Sequence, residues 1–454
     1  MRYTFTLTYF KSKANLMYYT NELFFLVVSF VSVFIFFRIM RLNIAYTNYP
    51  LISVFFLVHF LVFAYIGPLI HIFYENKYNE FFYLNQFLLS TSVLILFPLG
   101  MLSINKILKF DGYFLYDYDH RSQVSDKMFY VFLALFFLSI CVLLLFISKL
   151  EMLPITAIIK GYSVADAYEL RSAAGNTFPG KYYRYAMFMK TLPLVLLLIL
   201  FFLRDISRRW SILFYILLIY NIFVSIMDIQ KAPLLNLLFL LLICGFFYYK
   251  KINWKLFFSV MIVSGVAVIL MYMFFLDSGN FVITIDQIIS RIIFAQIDTF
   301  IDHQRYIEAN GFLYGKSFPN PAGIFPFVHI PIETEIYKFV IQNWHEGMPL
   351  GSWPTVFYGN WYDNFGYFGA LFSMFLLGMI IQFADIKLYR HISAKKHILV
   401  IGLYIYLIHF FSKYAGTSFD GILIDTQLIF PIIITFFLFY INGYFLKKEI
   451  ACVK

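Results

Sequence analysis

Long apolar runs recur along this chain, at 21–37, 50–73, 81–102, 128–148, 186–203, 210–227, 232–249, 256–276, 364–386, 398–412 and 424–446. Most have the length, about 17–25 residues, that a helix needs to cross a hydrocarbon core of about 30 Å. The run at 398–412 is short, and 210–227 and 232–249 are joined by only four residues. The expectation is therefore about 11 (10–12) transmembrane helices. Composition agrees: 61% of the residues are hydrophobic and 13% charged, against roughly a quarter charged in an ordinary soluble domain. A soluble fold of this size could not cover so much apolar surface. A cytosolic enzyme, a secreted disulfide scaffold and a disordered tail protein are excluded, and the chain reads as an all-α polytopic membrane protein. No small-residue cleavage site follows the first run, so no cleavable signal peptide is expected.

The formal net charge is +10. In a soluble chain that would point to nucleic acid. Here it reads as loop charge and as affinity for anionic lipid-linked groups, with membrane lipids rather than nucleic acid as the partner. If the Lys447-Lys448 tail is cytoplasmic, so are 38–49, 103–127, 204–209, 250–255 and 387–397. These six segments hold 19 Lys/Arg in 68 residues, against 15 in 166 on the other side. The density contrast supports that orientation. Eleven spans then place the N-terminus outside, although it carries Arg2, Lys11 and Lys13. Cys141 and Cys244 lie in apolar runs and Cys452 near the C-terminus, which suits small hydrophobes rather than a disulfide or metal site.

Two external segments are longer than any connection requires. They divide the chain into N-terminal spans (1–148), a first large loop (149–185), central spans (186–276), a second large loop (277–363) and C-terminal spans (364–454). Loops of this length are functional or disordered, and the aromatic and apolar residues in these two argue against disorder. In the first loop, Ser163 with Asp166 starts a short helix over 164–172. Arg171 stands at its end, beside the Gly175–Gly180 stretch, as a substrate-facing cation. Lys181 and Arg184 suit lipid headgroups or the helix end as well as a substrate.

The second loop opens with a helix expected over 285–309, from a Thr284/Gln287 capping box to an Asn310-Gly311 stop. It is about 37 Å long. Arg291, Asp298, Asp302 and Arg305 fall on one polar face, opposite Ile285, Ile289, Ile292, Ile293, Phe300 and Ile301. Such a helix lies along the membrane or roofs a cavity. The polar face reads as a solvated stripe with an Asp302–Arg305 pair, or as two arginines set for a pyrophosphate. Six of the 14 prolines then fall between 319 and 354, so the surface there is shaped and irregular. It carries His329, Glu333, Glu335, His345, Glu346 and Asp363 among Trp344, Trp353 and Trp361. The tryptophans suit sugar stacking or an aromatic belt at the membrane surface.

Within the spans, ionisable groups are few: His59, Lys190 and His409, with Asp205, Asp228 and Asp385 at span ends. A transporter threads paired charges through the bilayer, and no such chain is visible. His59 and His409 read as satisfied bundle residues, and Gly67-Pro68 as a kink. Asp117-Tyr118-Asp119 matches D-x-D in letters only, in an expected cytoplasmic loop. There is no metal motif and no Walker loop, so neither a metal nor a nucleotide cofactor is expected.

The stretch from Gly351 through Trp353, Gly359, Asn360, Trp361, Tyr362, Asp363, Asn364, Phe365 and Gly366 to Gly369, running into an apolar helix, resembles the late periplasmic loop of Wzy-type O-antigen polymerases. It is similar to the oligosaccharide repeat-unit polymerases, whose pattern is close to G-E-x-Y-x-N-F-G-x-x-G. Gly359, Tyr362, Asn364, Phe365, Gly366 and Gly369 match, and Asn360 stands where that pattern has Glu. The match covers about 20 residues. An Arg-x10-Gly pattern found in some relatives is not kept after Arg171, Arg291 or Arg305.

The resemblance implies a GT-C-like, metal-independent, inverting glycosyltransferase in the bacterial inner membrane, with its site facing the periplasm. It would transfer a growing glycan from undecaprenyl pyrophosphate to a lipid-linked repeat unit, building O-antigen or a related polysaccharide, with a chain-length regulator as partner. Such chemistry needs cations at the leaving phosphate and a base for the acceptor hydroxyl. Arg171, Arg291 and Arg305 are the candidate catalytic cations, with Lys316 and Lys181 binding substrate. His345, Glu346 and Asp363 are the candidate bases. Trp344, Trp353, Tyr362 and Asn360 complete the expected sugar site. The rival readings are an O-antigen ligase, a flippase or exporter of lipid-linked sugar, and a membrane-bound acyltransferase.

Overall fold

The computed structural model describes residues 27–34, 51–74, 80–110, 124–163, 166–167, 169–171, 181–249, 281–341, 351–395 and 398–453, with isolated helical positions at 36, at 38 and between 255 and 269. Among them the chain is helical, with no strand. Nine helices are long and apolar enough to cross a membrane. They coincide with nine of the eleven expected spans; of the other two, 21–37 is described, as helix, at 27–34 and 36, and 256–276 falls largely outside the described residues. The protein is an all-α polytopic membrane protein.

The spanning elements are α1 (Ile52–Phe60) continued through a π turn into α2 (Ile66–Tyr74), α3 (Glu80–Leu108) and α4 (Met128–Ile147). A short helix in the first large loop, α5 (Pro154–Ile159), follows. Then come α6 (Tyr182–Ala186) continued through a second π turn into α7 (Leu192–Leu203), α8 (Arg208–Ile226) and α9 (Lys231–Tyr249). The second large loop contributes α10 (Phe281–Ile293), α11 (Ala295–Asn310) and α12 (Ile332–Val340). The bundle closes with α13 (Gly359–Lys395), α14 (Ile398–Ser412) and α15 (Thr426–Val453). The short run expected at 398–412 is α14, whose residues are buried almost throughout. An apolar segment wrapped by other helices rather than by lipid need not present a full-length lipid-facing surface.

Glycine sets the closest helix contact. A Cβ on Gly100 of α3 would stand 2.2 Å from the Phe375 carbonyl oxygen, and one on Gly378 of α13 would stand 2.2 Å from that of Phe97. The two backbones therefore touch, the small-residue packing that membrane helices use where no hydrophobic effect drives them together. Gly67, expected at a kink, has the same role. Its Cβ would meet the Ile293 carbonyl oxygen at 2.4 Å, so it admits the second loop to the bundle. The distortion of this helix is the π turn at Leu61–Tyr65.

Polar contacts tie the connecting segments together at two ends of the bundle. At one end Arg209 pairs with Asp126, Tyr248 donates to Asp205 at 2.6 Å, and Arg390 donates to the Leu108 carbonyl at 2.8 Å. Buried Asp385 accepts from the Ile52 and Ser53 amides at 3.0 and 3.2 Å and from the Tyr404 hydroxyl at 2.6 Å. It thereby satisfies free N–H groups at the start of α1. At the other end Lys190 meets Asp228 at 2.5 Å, and the first loop packs Ala157 and Ala167 on Ile229.

Candidate functional site

The second loop does not form one helix. It breaks at Phe294 (φ −108°, ψ −27°) into α10 and α11. This corrects the expected 285–309 helix and its single polar stripe. The predicted start is also displaced: α10 begins at Phe281 and Thr284 is buried within it. Two surfaces compete for the segment, and the break lets each half serve one. Isoleucine-rich α10 is exposed on several apolar residues, while α11 buries Ile297, Phe300, Ile301, Asp302, His303, Gln304 and Ile307. The predicted stop holds: Gly311 takes φ 81° and its N–H donates to Ile307 at 2.8 Å.

Polar contacts seat α11 on the bundle. His71 and Asp298 meet at 3.0 Å, the Asn85 amide donates to Gln304 at 2.5 Å, and the Gln86 amide donates to the Ile297 carbonyl at 2.5 Å. Phe300 fills the space between, edge-on to Tyr358 and Tyr362 with centroids at 5.2 and 5.5 Å.

The first turns of α13 face this helix. Gly366 adopts φ 61°, ψ −146°, a conformation only glycine takes readily, and kinks α13 there. The kink turns the Asp363 and Asn364 carbonyls to the loop, where they accept from the Leu313 and Tyr314 amides at 3.0 and 3.2 Å. The Asn364 side chain closes the clamp. Its oxygen accepts from the Gly315 amide at 2.7 Å and its nitrogen donates to the Ser317 hydroxyl at 2.6 Å.

At the centre, His303 Nδ1 lies 2.6 Å from Asp363 Oδ2, and both side chains are wholly buried (0% exposed). His303 Nε2 donates to the Trp353 carbonyl at 3.0 Å. Each ring nitrogen thus faces an acceptor, which the doubly protonated imidazolium satisfies at both ends. Burial alone would lower the His303 pKa, but the Asp363 carboxylate and the two hydrogen bonds outweigh it and raise it. The Trp353 indole N–H donates to Asp302 at 3.0 Å, Asp302 accepts from Arg305 at 3.1 Å, and the Trp353 amide donates to the Glu333 carbonyl at 3.1 Å.

A third element reaches the same place. In the turn between α14 and α15, Asp420 accepts from the Ser418 hydroxyl at 2.5 Å and from the Asn360 side chain. Phe419 stacks on Trp361 with centroids 5.5 Å apart and planes 19° apart.

The structure therefore brings together Asp363, Trp353, Tyr362, Asn360 and, through Asp302, Arg305. Lys316 is exposed at the rim, its carbonyl accepting from Ile330 at 2.8 Å. Arg291 is exposed on α10, on the far side of the break from Arg305. Arg171 is half-buried in the first loop, one residue from Leu170, which packs beside Ile229. Lys181 is exposed at the start of α6. The Ser163–Asp166 helix start is present, with reciprocal bonds at 2.7–3.2 Å. His345, Glu346 and Trp344 lie outside the described residues. Sequence reasoning passed over His303 and Asp420, because a lone histidine in an amphipathic helix and an aspartate in a short turn carry no motif.

Family models, curated proteins and solved structures give no match to this chain.

Proposed function

We propose that this protein polymerises undecaprenyl-pyrophosphate-linked oligosaccharide repeat units into a surface polysaccharide. The transfer is inverting and occurs at the periplasmic face of a bacterial inner membrane. One observation carries the reading: the 351–369 segment, on which the resemblance to repeat-unit polymerases rests, is also the segment that builds the buried polar site. Asn360, Asp363 and Asn364 each tie it to a different external stretch. A site of this kind, set at the external end of an apolar bundle, suits a substrate with a lipid tail and a polar glycan. The leaving group is already a pyrophosphate, so no nucleotide is required. Catalysis then needs cations at the departing phosphate, a base at the acceptor hydroxyl and a held sugar. Arg305 and Lys316 flank the site, and Arg291 and Arg171 stand on the same external end.

Deletion of the gene tests this reading in cells. The null strain should cap its surface lipid with one repeat unit, and the wild-type gene should restore the long polymer. Bare core in the null strain would instead indicate a ligase. Full-length polymer from Arg171→Ala or Arg291→Ala would remove that arginine from catalysis.

A further inference from the structure

We propose that Asp420 is the general base that takes the proton from the acceptor sugar hydroxyl. The assignment rests on the polymerase reading above. It starts from accessibility. Asp363 is sealed at 0% exposure and held by His303, so it cannot meet an acceptor. Asp420 keeps part of its surface open. Its turn is pinned on both sides. Phe419 stacks on Trp361, and a Cβ on Gly421 would stand 3.2 Å from the Pro319 ring. The carboxylate is thus held at the junction of the second loop, the start of α13 and the α14–α15 turn.

The neighbouring polar atoms point to the ligand. Asn360 Oδ1 and Trp361 Nε1 are both shielded from solvent and have no protein partner. Asn360 itself is 5% exposed, and its other amide atom holds Asp420. Buried polar groups are ordinarily bonded. An acceptor on the residue that holds Asp420 and a donor on the indole that packs on Phe419 match the alternating donors and acceptors of a polyhydroxylated ring. Glu333 is another carboxylate near Asp420, its Oε2 accepting from the Ser352 hydroxyl at 2.5 Å, and it serves as the comparison in the test. Burial raises the Asp420 pKa, while the Ser418 and Asn360 hydrogen bonds partly offset it. A raised pKa makes a carboxylate a better proton acceptor near neutral pH.

The step balances. The acceptor O–H bond breaks and its proton moves to Asp420. The freed oxygen pair forms the bond to the anomeric carbon of the donor glycan. The anomeric C–O bond to pyrophosphate breaks, and that pair leaves on the lipid pyrophosphate. Asp420 then returns the proton to water.

The test uses the full-length protein in proteoliposomes and the lipid-linked oligosaccharide that a deletion strain accumulates. Asp420→Asn keeps the shape and should lower turnover by about 10²–10⁴-fold, with KM little changed. The wild-type rate should fall as pH drops through the raised Asp420 pKa, and the residual rate of Asp420→Asn should lack that limb. Ser418→Ala removes a donor to the carboxylate, so the acid limb should move to higher pH. If Asp420→Asn does not fold, the Ser418→Ala profile decides. Near wild-type turnover in Asp420→Asn, or an unmoved limb in Ser418→Ala, overturns the assignment. A loss confined to Glu333→Gln overturns it in favour of that residue. A wild-type protein that makes no polymer at all overturns the polymerase reading, and this assignment with it.

Discussion

Asp363→Ala is expected to destabilise the site around α11 and the start of α13 by about 3–5 kcal/mol, the cost of leaving one partner of a buried ion pair uncompensated. The reason is the enclosure of the pair. His303 and Asp363 are both 0% exposed and 2.6 Å apart, so no water can replace the lost carboxylate. His303→Ala should cost a similar amount, because the Asp363 carboxylate is then stranded. The double substitution His303→Leu/Asp363→Leu should cost less than the two single changes summed, since neither charge remains. Thermal unfolding in detergent and hydrogen exchange over 295–310 measure this. A double variant as damaged as the sum of the singles would contradict the pairing.

The pH dependence follows from the raised His303 pKa. A raised histidine contributes stability that is complete below its ordinary value, about 6.5, and is lost as pH climbs through the raised value. The gap between wild type and His303→Ala should therefore narrow at alkaline pH.

Gly378→Val should be at least as severe, by another route. The Phe97 carbonyl oxygen stands 2.2 Å from the position of the added Cβ. That oxygen belongs to helical backbone and cannot swing aside. Overpacking in a tight interior costs about 1–3 kcal/mol, and a rigid clash on a helix axis belongs at or above the upper end. α3 and α13 must separate, and α13 carries Asp363 at its start. Site geometry and folded yield should fall together. Gly100→Val should behave alike from the opposite helix, with the Phe375 carbonyl at 2.2 Å. Gly245→Ala and Gly443→Ala meet nothing within 4 Å and should be tolerated. Yield of monodisperse protein separates the two classes. Equal yields would show that α3 and α13 do not touch at these glycines.

Much of the fold is legible in the sequence because lipid imposes a length on every apolar run. The nine described spans match their predicted positions, and the glycine stop after Asn310 is where its motif puts it. The break at Phe294 is not legible. The apolar period continues across it, and only the presence of two different surfaces divides α10 from α11. Asp363 and Asn364 are visible as motif letters, but not the kink that aims them, since glycine is common in membrane helices. His303 and Asp420 become meaningful only when helices distant in sequence meet. Asp385 reads as a span-end charge, and its bonds to Ile52 and Ser53 depend on a neighbour more than 300 residues away.

Reconstitution shows whether the chain itself lengthens the glycan. The purified chain is placed in liposomes with the lipid-linked repeat unit from a deletion strain, without nucleotide. Glycans of two or more repeat units should form, with one lipid pyrophosphate released per new bond. Repeat units that cross the bilayer unchanged, with no longer glycan formed, would contradict the polymerase reading.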